Sequence, residues 1–323
     1  MHTDQTLAGF SDLAFRSAFA VYFLALVLLV GQFAGRQVRK SADAEVRELV
    51  AAGGGPGAEP ESEPDAETAP LSERLGNMGA SVLVVAIALH LASIVLRGFA
   101  VHRFPLGNMY EFVTMACAAA VLVGGIFLRG QQFRAMWVFL LTPVLVLLFL
   151  AATVLYAKAA PVVPALQSYW LPIHVTVVST GSGVFLVAGV ASLLFLLRLR
   201  QPEGQEAPGP LGALARRLPD AATLDRIAYR TTIIGFPIFG AGVILGAIWA
   251  EAAWGRFWGW DPKETVSFIA WVIYAAYLHA RATTGWRDTK AAWINVAAFT
   301  AMLFNLFIIN MVVSGLHSYA GLN

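Results

Sequence analysis

The sequence of 323 residues has little charge and almost no cysteine. Only 13% of its residues are charged, against about 25% in soluble globular domains. The formal net charge of +2 gives no indication of nucleic-acid binding. The single cysteine, Cys117, excludes an internal disulfide, a CxxC redox pair and a CxxCH haem-attachment site. Any thiol chemistry must therefore belong to a partner, and we interpret Cys117 as a small residue that packs between helices.

The sequence is rich in long apolar runs. Hydrophobic residues make up 58% of the chain, and the mean hydropathy is +0.67. A helix of about 20 apolar residues spans a bilayer, and the sequence therefore predicts an all-α, polytopic transmembrane bundle of about eight helices. The predicted spans are 13–35, 76–98, 110–128, 135–156, 172–197, 230–250, 266–282 and 291–313.

Two connections between these spans are long. Residues 40–75 are rich in Gly, Pro, Ala and Glu and bury too little apolar surface to fold, so we predict a disordered cytoplasmic loop. The latter half of 199–229 predicts a surface helix. Residues 1–39 lack a basic n-region and a small-residue cleavage site, which favours a retained first transmembrane helix over a signal peptide. Residues 76–323 are then the main membrane domain.

The basic residues predict the orientation, because cytoplasmic loops carry an excess of Lys and Arg. Sixteen of the 22 basic residues lie in one set of loops and six in the other. With eight spans this asymmetry places both termini on the extracytoplasmic side. The segment WGRFWGWDPKET, residues 254–265, is then extracytoplasmic, between the sixth and seventh spans.

This segment holds three tryptophans and two glycines within seven residues. Tryptophan faces suit a flat ligand such as a porphyrin, and glycine lets a backbone approach one closely. Tryptophan is also common at membrane interfaces as an anchor. From the residues alone, a platform for a planar ligand and interfacial anchoring both stay open.

Two histidines are predicted at the same membrane depth as this segment. His174 begins the fifth span, and His317 follows the last one. Neutral imidazole is a common axial ligand of haem iron, so two facing histidines could hold one iron. His279, near the inner end of the seventh span, and His90, in mid-span, are functional candidates because ionisable groups are rare in membranes. An interhelical hydrogen bond is the alternative for either.

Three charged residues begin the seventh predicted span. Asp261 and Glu264 suit the N-terminus of a helix, whose dipole favours acids, and Pro262 suits its first turn. Capping alone accounts for both acids. Lys263 is not explained by capping, and its alternatives are an acidic partner or a haem propionate.

WGRFWGWDPKET, followed by a span that ends in YLHAR, resembles the WWD signature of haem-handling proteins. His174 and His317, the terminal GLHSYA and the loop HRFPLGNMYEF resemble the CcsA (ResC) family of System II cytochrome c biogenesis, from about residue 76 onward. The resemblance implies that His174 and His317 are axial ligands of an outer haem and that His279 is a ligand at an inner haem site. It also implies a WWD segment, residues 251–266, whose haem-binding residues are Trp254, Gly255, Trp258, Trp260, Asp261, Lys263 and Glu264.

The resemblance implies that the chain lies in the lipid of the cytoplasmic membrane and carries haem b across it. The haem is then presented at the outer face for thioether attachment to the CxxCH motif of apocytochrome c. The chain would be part of a holocytochrome c synthase (haem lyase) complex. The implied partners are a separate ResB/CcsB-like membrane protein, since this chain lacks that moiety, and thioredoxin-like thiol reductants. No role follows for His90, and His102 is interpreted as a polar loop residue.

Three other functions compete with this interpretation. A System I haem-handling subunit shares the WWD signature, but its length differs from that of this chain. A di-haem cytochrome b-type electron-transfer subunit would place paired histidines within spans on both leaflets. A small-molecule transporter would show internal repeats or paired broken helices, and the sequence has neither.

Overall fold

The computed structural model describes residues 3–52, 71–162 and 166–317, with the backbone alone over 34–52. All regular structure in these residues is helical, which confirms the predicted all-α class. The helices are α1 (Gln5–Ala52), α2 (Leu71–Val101), α3 (Met109–Phe127), α4 (Arg134–Thr153), α5 (Trp170–Arg200), α6 (Pro210–Ala215), α7 (Ala221–Trp254), α8 (Pro262–Ala282) and α9 (Thr289–Phe304). A 3-10 turn, Gln131–Phe133, precedes α4, and a π-helical turn, Asn305–Ile309, continues α9.

Seven helical segments of the described chain are long and apolar enough to cross a membrane, so the protein is a multi-pass membrane protein. They are Gln5–Phe33, Leu71–Val101, Met109–Phe127, Gln131–Thr153, Trp170–Arg200, Ala221–Trp254 and Thr289–Ile309.

Helix α8 corresponds to the predicted span 266–282 but is not one of these seven segments. Its 21 residues extend about 31 Å at 1.5 Å per residue. It runs antiparallel to α7, because Trp271 Nε1 donates to Phe236 O at 3.2 Å and Arg281 pairs with Asp225 at 2.8 Å. This packing supports an eighth crossing, and the count of eight and the side of the termini stay predictions.

The connections differ from the sequence-based expectation. Helix α1 continues to Ala52, because residues 36–52 are rich in good helix formers and hold no glycine or proline. Of the predicted loop 40–75, residues 40–52 belong to α1 and residues 71–75 to α2, and residues 53–70 lie outside the described part of the chain. The surface helix predicted in 199–229 is divided between the short α6 and the start of α7, which Asp220 caps by accepting from Thr223 N at 2.7 Å.

Helices α5 and α7 pack closely because glycines lie at their contact. A Cβ on Gly181 would lie 2.9 Å from the backbone of Phe239, and a Cβ on Gly242 would lie 2.9 Å from Val178 Cα. Small residues let transmembrane helices approach in this way. We call the end of the bundle where α7 ends and α8 begins the cavity end, and the end where α8 ends and α9 begins the far end.

Candidate functional site

A cavity of about 140 Å³ lies at the cavity end of the bundle. Its walls come from the loop before α3 and the start of α3, from α5 and α7, and from the segment between α7 and α8. The start of α8, the end of α9 with the π-helical turn, and the end of the described chain complete them. Most of the lining is apolar, and the polar lining includes two of the predicted histidine ligands. The predicted site residues in the wall are His174, His317, Trp254, Trp258, Lys263 and Glu264. The structure thus brings together residues up to 143 positions apart (317 − 174 = 143).

His174 lies in the first turn of α5 and is held against α7. Its Nδ1 lies 2.7 Å from the carbonyl oxygen of Gly242, so Nδ1–H donates and the lone pair is on Nε2. Gly246 makes room for the ring, because a Cβ at Gly246 would lie 2.7 Å from His174 Cε1. The imidazole is therefore positioned by main-chain groups of the neighbouring helix.

His317 is held by a carboxylate. Its Nδ1 lies 2.8 Å from Asp261 Oδ2, and Leu316 N donates to Asp261 Oδ1 at 2.8 Å. Burial opposes ionisation of Asp261, but the hydrogen bonds from His317 and Leu316 outweigh it and lower the pKa of Asp261 to about 2. Burial also lowers the pKa of His317, an effect that the bond to Asp261 partly offsets. A neutral His317 thus donates Nδ1–H to an ionised Asp261, an arrangement that orients metal-ligating histidines.

Asp261 is also the N-cap of α8, which confirms the capping role considered from the sequence. It forms a capping box with Glu264, whose Oε2 accepts from Asp261 N at 3.1 Å. Glu264 in turn pairs with Arg256 at 3.2 Å. The capping and site roles of Asp261 are therefore not exclusive, since one carboxylate fixes both the start of α8 and the His317 ring.

Besides Asp261, two of the predicted haem-binding residues lie outside the cavity wall. Gly255 is the C-cap of α7, with φ 68°, and its N donates to Glu251 O at 2.9 Å. Trp260 is 66% exposed and has φ 56°, a region that favours glycine. Both residues shape the turn between α7 and α8, whereas Trp254 and Trp258 provide its cavity-facing rings.

The sequence analysis missed Trp249, which is 2% exposed near the end of α7. Its ring centroid lies 6.0 Å from that of His174, with parallel planes, and 5.9 Å from that of His317. Its centroid lies 4.7 Å from that of Trp254. The available signal was a tryptophan five residues before the aromatic segment, on the same helix end.

The sequence analysis also missed a buried ion-pair network that holds one cavity wall. The carboxylate of Glu111 lies 3.0 Å from Arg97 Nε and 2.9 Å from Arg103 Nη1, and Gly107 N donates to it at 2.7 Å. Glu111 and Arg97 are almost fully buried. Because Gly107 and its neighbour Leu106 line the cavity, this network fixes the loop that forms the wall.

The other histidines lie apart from this cavity. His279 is exposed on α8 towards the far end, 16 residues after Lys263 (279 − 263 = 16) and hence about 24 Å from it along the helix. His90 is fully buried, and its Nδ1 lies 3.3 Å from Tyr22 Oη, which is the interhelical hydrogen bond considered from the sequence. His102 is an exposed loop residue with φ 51°.

Comparison with known proteins identifies the family. Residues 106–317, a stretch that contains every residue of the cavity wall, match the family described as cytochrome C assembly protein. A cytochrome c biogenesis protein CcsA from Gloeobacter violaceus is 32% identical over 304 residues, which cover 79% of this chain and 88% of that protein. The CcsA proteins of Guillardia theta and a Picosynechococcus species are 32% and 31% identical, and the matches cover 68% and 76% of this chain and 78% and 87% of those proteins. The chain therefore belongs to the cytochrome c assembly family and, within it, to the CcsA cytochrome c biogenesis proteins.

Proposed function

We propose that this chain holds haem b between His174 and His317 and presents it to the CxxCH motif of an apocytochrome c. The presenting face is the extracytoplasmic side of the cytoplasmic membrane. One observation carries the proposal: two imidazoles from distant segments line one cavity, each with Nδ1 bonded to an acceptor of the chain. Both therefore have Nε2 as the nitrogen that can ligate iron.

The types of residue in the cavity wall suit a porphyrin. The wall is mainly apolar, and Trp254 and Trp258 offer aromatic faces. The volume of about 140 Å³ is below the roughly 300 Å³ at which small-molecule sites begin. Binding therefore requires wall side chains to move or one porphyrin edge to protrude. We propose that one edge protrudes, since a substrate has to reach it.

The chain contributes positioning rather than a reactive group. When bound, haem supplies two vinyl groups, and each substrate thiol adds across one of them. In each addition the S–H bond and the vinyl π bond break while one C–S and one C–H bond form, without net redox change. His174 and His317 set the plane in which the vinyl groups lie, and Asp261 keeps His317 in place. The substrate's own histidine then replaces one of the two ligands, which allows release of the product.

An inner haem site is proposed at His279. This side chain is exposed on α8 and far from the other two ligands, so its second ligand has to come from another chain. A ResB/CcsB-like partner that packs on this face of α8 would supply it. Cys117 is fully buried, so thioredoxin-like partners must keep the substrate thiols reduced.

Covalent haem on a co-expressed apocytochrome c tests the proposal. The chain is produced with its ResB/CcsB-like partner, and the product is measured by haem staining after denaturing electrophoresis. We expect stained product with the wild type and with His102→Ala, whose side chain lies outside the cavity wall. With His317→Ala we expect less than about a tenth, because loss of a ligand should cost at least as much as loss of the group that orients it, which is about 10-fold or more. Quinol-dependent reduction of bound haem without any stained product would favour the cytochrome b-type alternative instead.

A further inference from the structure

A second group of polar side chains lines the same cavity, at the start of α8 and in the π-helical turn. Lys263 is half-buried, and its Nζ donates to Asn310 Oδ1 and lies 5.9 Å from the centroid of the Phe112 ring. Asn305 donates from Nδ2 to Ser267 Oγ at 2.7 Å. Lys263, Ser267 and Asn305 all belong to the cavity wall.

The charge of Lys263 is not matched by a direct ion pair. In the part of the chain that the structure describes, its Nζ forms no salt bridge with a carboxylate. The two nearest carboxylates along the chain have other partners. Glu264 pairs with Arg256 at 3.2 Å, and Asp261 accepts from Leu316 N and His317 Nδ1. A cation that lines an apolar cavity is costly unless an anion accompanies it. The cavity wall therefore carries a positive charge that a bound anion would balance.

The π-helical turn places one amide against this cation and a second amide in the same cavity wall. Asn305 begins the turn and Asn310 follows it, and Asn310 Nδ2 donates to Leu306 O at 2.7 Å. Asn305 is 7% exposed, and its Oδ1 is buried without a hydrogen-bond partner among the described residues. Single π-helical turns inside α-helices are frequent at functional sites. An unsatisfied buried amide atom in the same cavity wall as a cation points to a polar group that binds there.

We infer that Lys263, Asn305 and Asn310 form a subsite for a carboxylate, namely a propionate of the haem. This inference rests on the proposed function, since it concerns the same bound molecule. Lys263 supplies the cationic donor, and Asn310 holds its Nζ. A flip of the Asn305 side-chain amide exchanges the positions of its oxygen and nitrogen. The Ser267 hydroxyl then donates to Oδ1, and Nδ2 becomes a second donor for the carboxylate. Charge-assisted hydrogen bonds of this kind are about twice as strong as neutral ones.

The subsite would fix the orientation of the porphyrin as well as strengthen its binding. In haem b the two propionates lie on one half of the ring and the two vinyl groups on the other. A propionate bound at Lys263 keeps the first half inside the cavity. The vinyl half is then the edge left to protrude, which is the edge that the substrate thiols need.

Titration with haem analogues tests this subsite. The purified full chain is titrated with haem, with mesohaem, which keeps the carboxylates but lacks the vinyl groups, and with haem dimethyl ester, whose carboxylates are blocked. We expect haem and mesohaem to bind alike and the ester to bind about 10-fold or more weakly, the scale of a charged hydrogen bond. Lys263→Met should bind haem as weakly as the ester, and Lys263→Arg should keep the preference. Lys290→Met, an exposed lysine at the far end, should behave as the wild type.

The outcomes separate this inference from the proposed function. Equal binding of haem and ester by the wild type, with a six-coordinate spectrum, would overturn the subsite and leave the proposed function standing. A preference for haem that survives in Lys263→Met would also overturn it. No six-coordinate spectrum with any of the three porphyrins would overturn the proposed function itself. The comparison of haem with its dimethyl ester on the wild-type chain tests the subsite even where a variant fails to fold.

Discussion

The two ends of the bundle hold their histidines differently. At the cavity end, His174 and His317 each bond through Nδ1 to an acceptor of the chain, and both line one cavity. Towards the far end, His279 is exposed on the surface of α8. If the proposed function holds, the ligand pair at the cavity end is preorganised within this chain, whereas the proposed site at the far end depends on a second protein. Four pairs of substitutions sharpen or break this comparison.

The largest loss of stability is expected when the ion pairs at the cavity end are broken, and breaking the pair at the far end should cost much less. Glu111→Ala leaves the guanidinium groups of Arg97 and Arg103 without their shared carboxylate, whose side chain is 1% exposed, and should cost about 3–5 kcal/mol of unfolding free energy. At the far end, Asp225→Ala breaks the pair with Arg281, whose side chains are 22% and 13% exposed, and should cost about 1 kcal/mol. Thermal unfolding in detergent measures both. Equal losses would mean that the network does not stabilise the cavity wall.

Asp261→Ala should weaken haem binding by about 10- to 100-fold, the usual effect of removing a carboxylate that orients a ligating histidine. It also removes the cap of α8, at a cost of about 1 kcal/mol. Asp220→Ala is the matched control, because Asp220 caps α7 at the far end by accepting from Thr223 N at 2.7 Å. The control should lose similar stability with unchanged haem affinity. A similar loss of haem affinity in both variants would show that capping, not the bond to His317, is what matters.

Gly246→Ala should weaken haem binding about 2- to 10-fold, because the added Cβ would lie 2.7 Å from His174 Cε1 and push the imidazole off its rotamer. Gly125→Ala in α3 is the control, since a Cβ there has no neighbouring atom within 4 Å. Both changes favour the helix by about 1 kcal/mol. Haem titration and thermal unfolding together separate displacement of the ring from loss of the fold. Unchanged haem affinity in Gly246→Ala would contradict the placement of His174.

The smallest effect is expected for Trp260→Gly. The ring is exposed outside the cavity wall, and the backbone at φ 56° is eased by glycine, so haem affinity should change less than about 2-fold while stability holds or rises by about 1 kcal/mol. Trp258→Gly, which removes a wall residue, is the comparison and should weaken haem binding more. If both variants lost the same haem affinity, the Trp260 ring would have to contact the porphyrin.

Much of the fold could be predicted because helix length and apolar composition are local properties. The density of tryptophan at 254–260 and the acids at 261 and 264 likewise indicated an aromatic turn and a capped helix, both of which are present. The bond between Asp261 and His317 could not be predicted from a local pattern, since the two residues are 56 positions apart. Trp249 was missed because a buried residue in an apolar span resembles ordinary core.

Other differences have equally physical causes. The extension of α1 to Ala52 follows from helix-forming polar residues that extend beyond the apolar run. The network around Glu111 joins the end of α2 to the start of α3 across a loop, so its pairing depends on the path of that loop. The π-helical turn at Asn305–Ile309 has no sequence signature, and its first residue bonds to Ser267 of α8.

The most direct test of the paired ligands is the visible spectrum of the chain purified with its ResB/CcsB-like partner. Oxidised and reduced forms are recorded for the wild type, for the double variant His174→Gly with His317→Gly, and for His279→Gly, each with and without imidazole. We predict a six-coordinate b-type spectrum that the double variant loses, that imidazole restores, and that His279→Gly retains. A spectrum unchanged in the double variant but lost in His279→Gly would contradict a haem site at the cavity end.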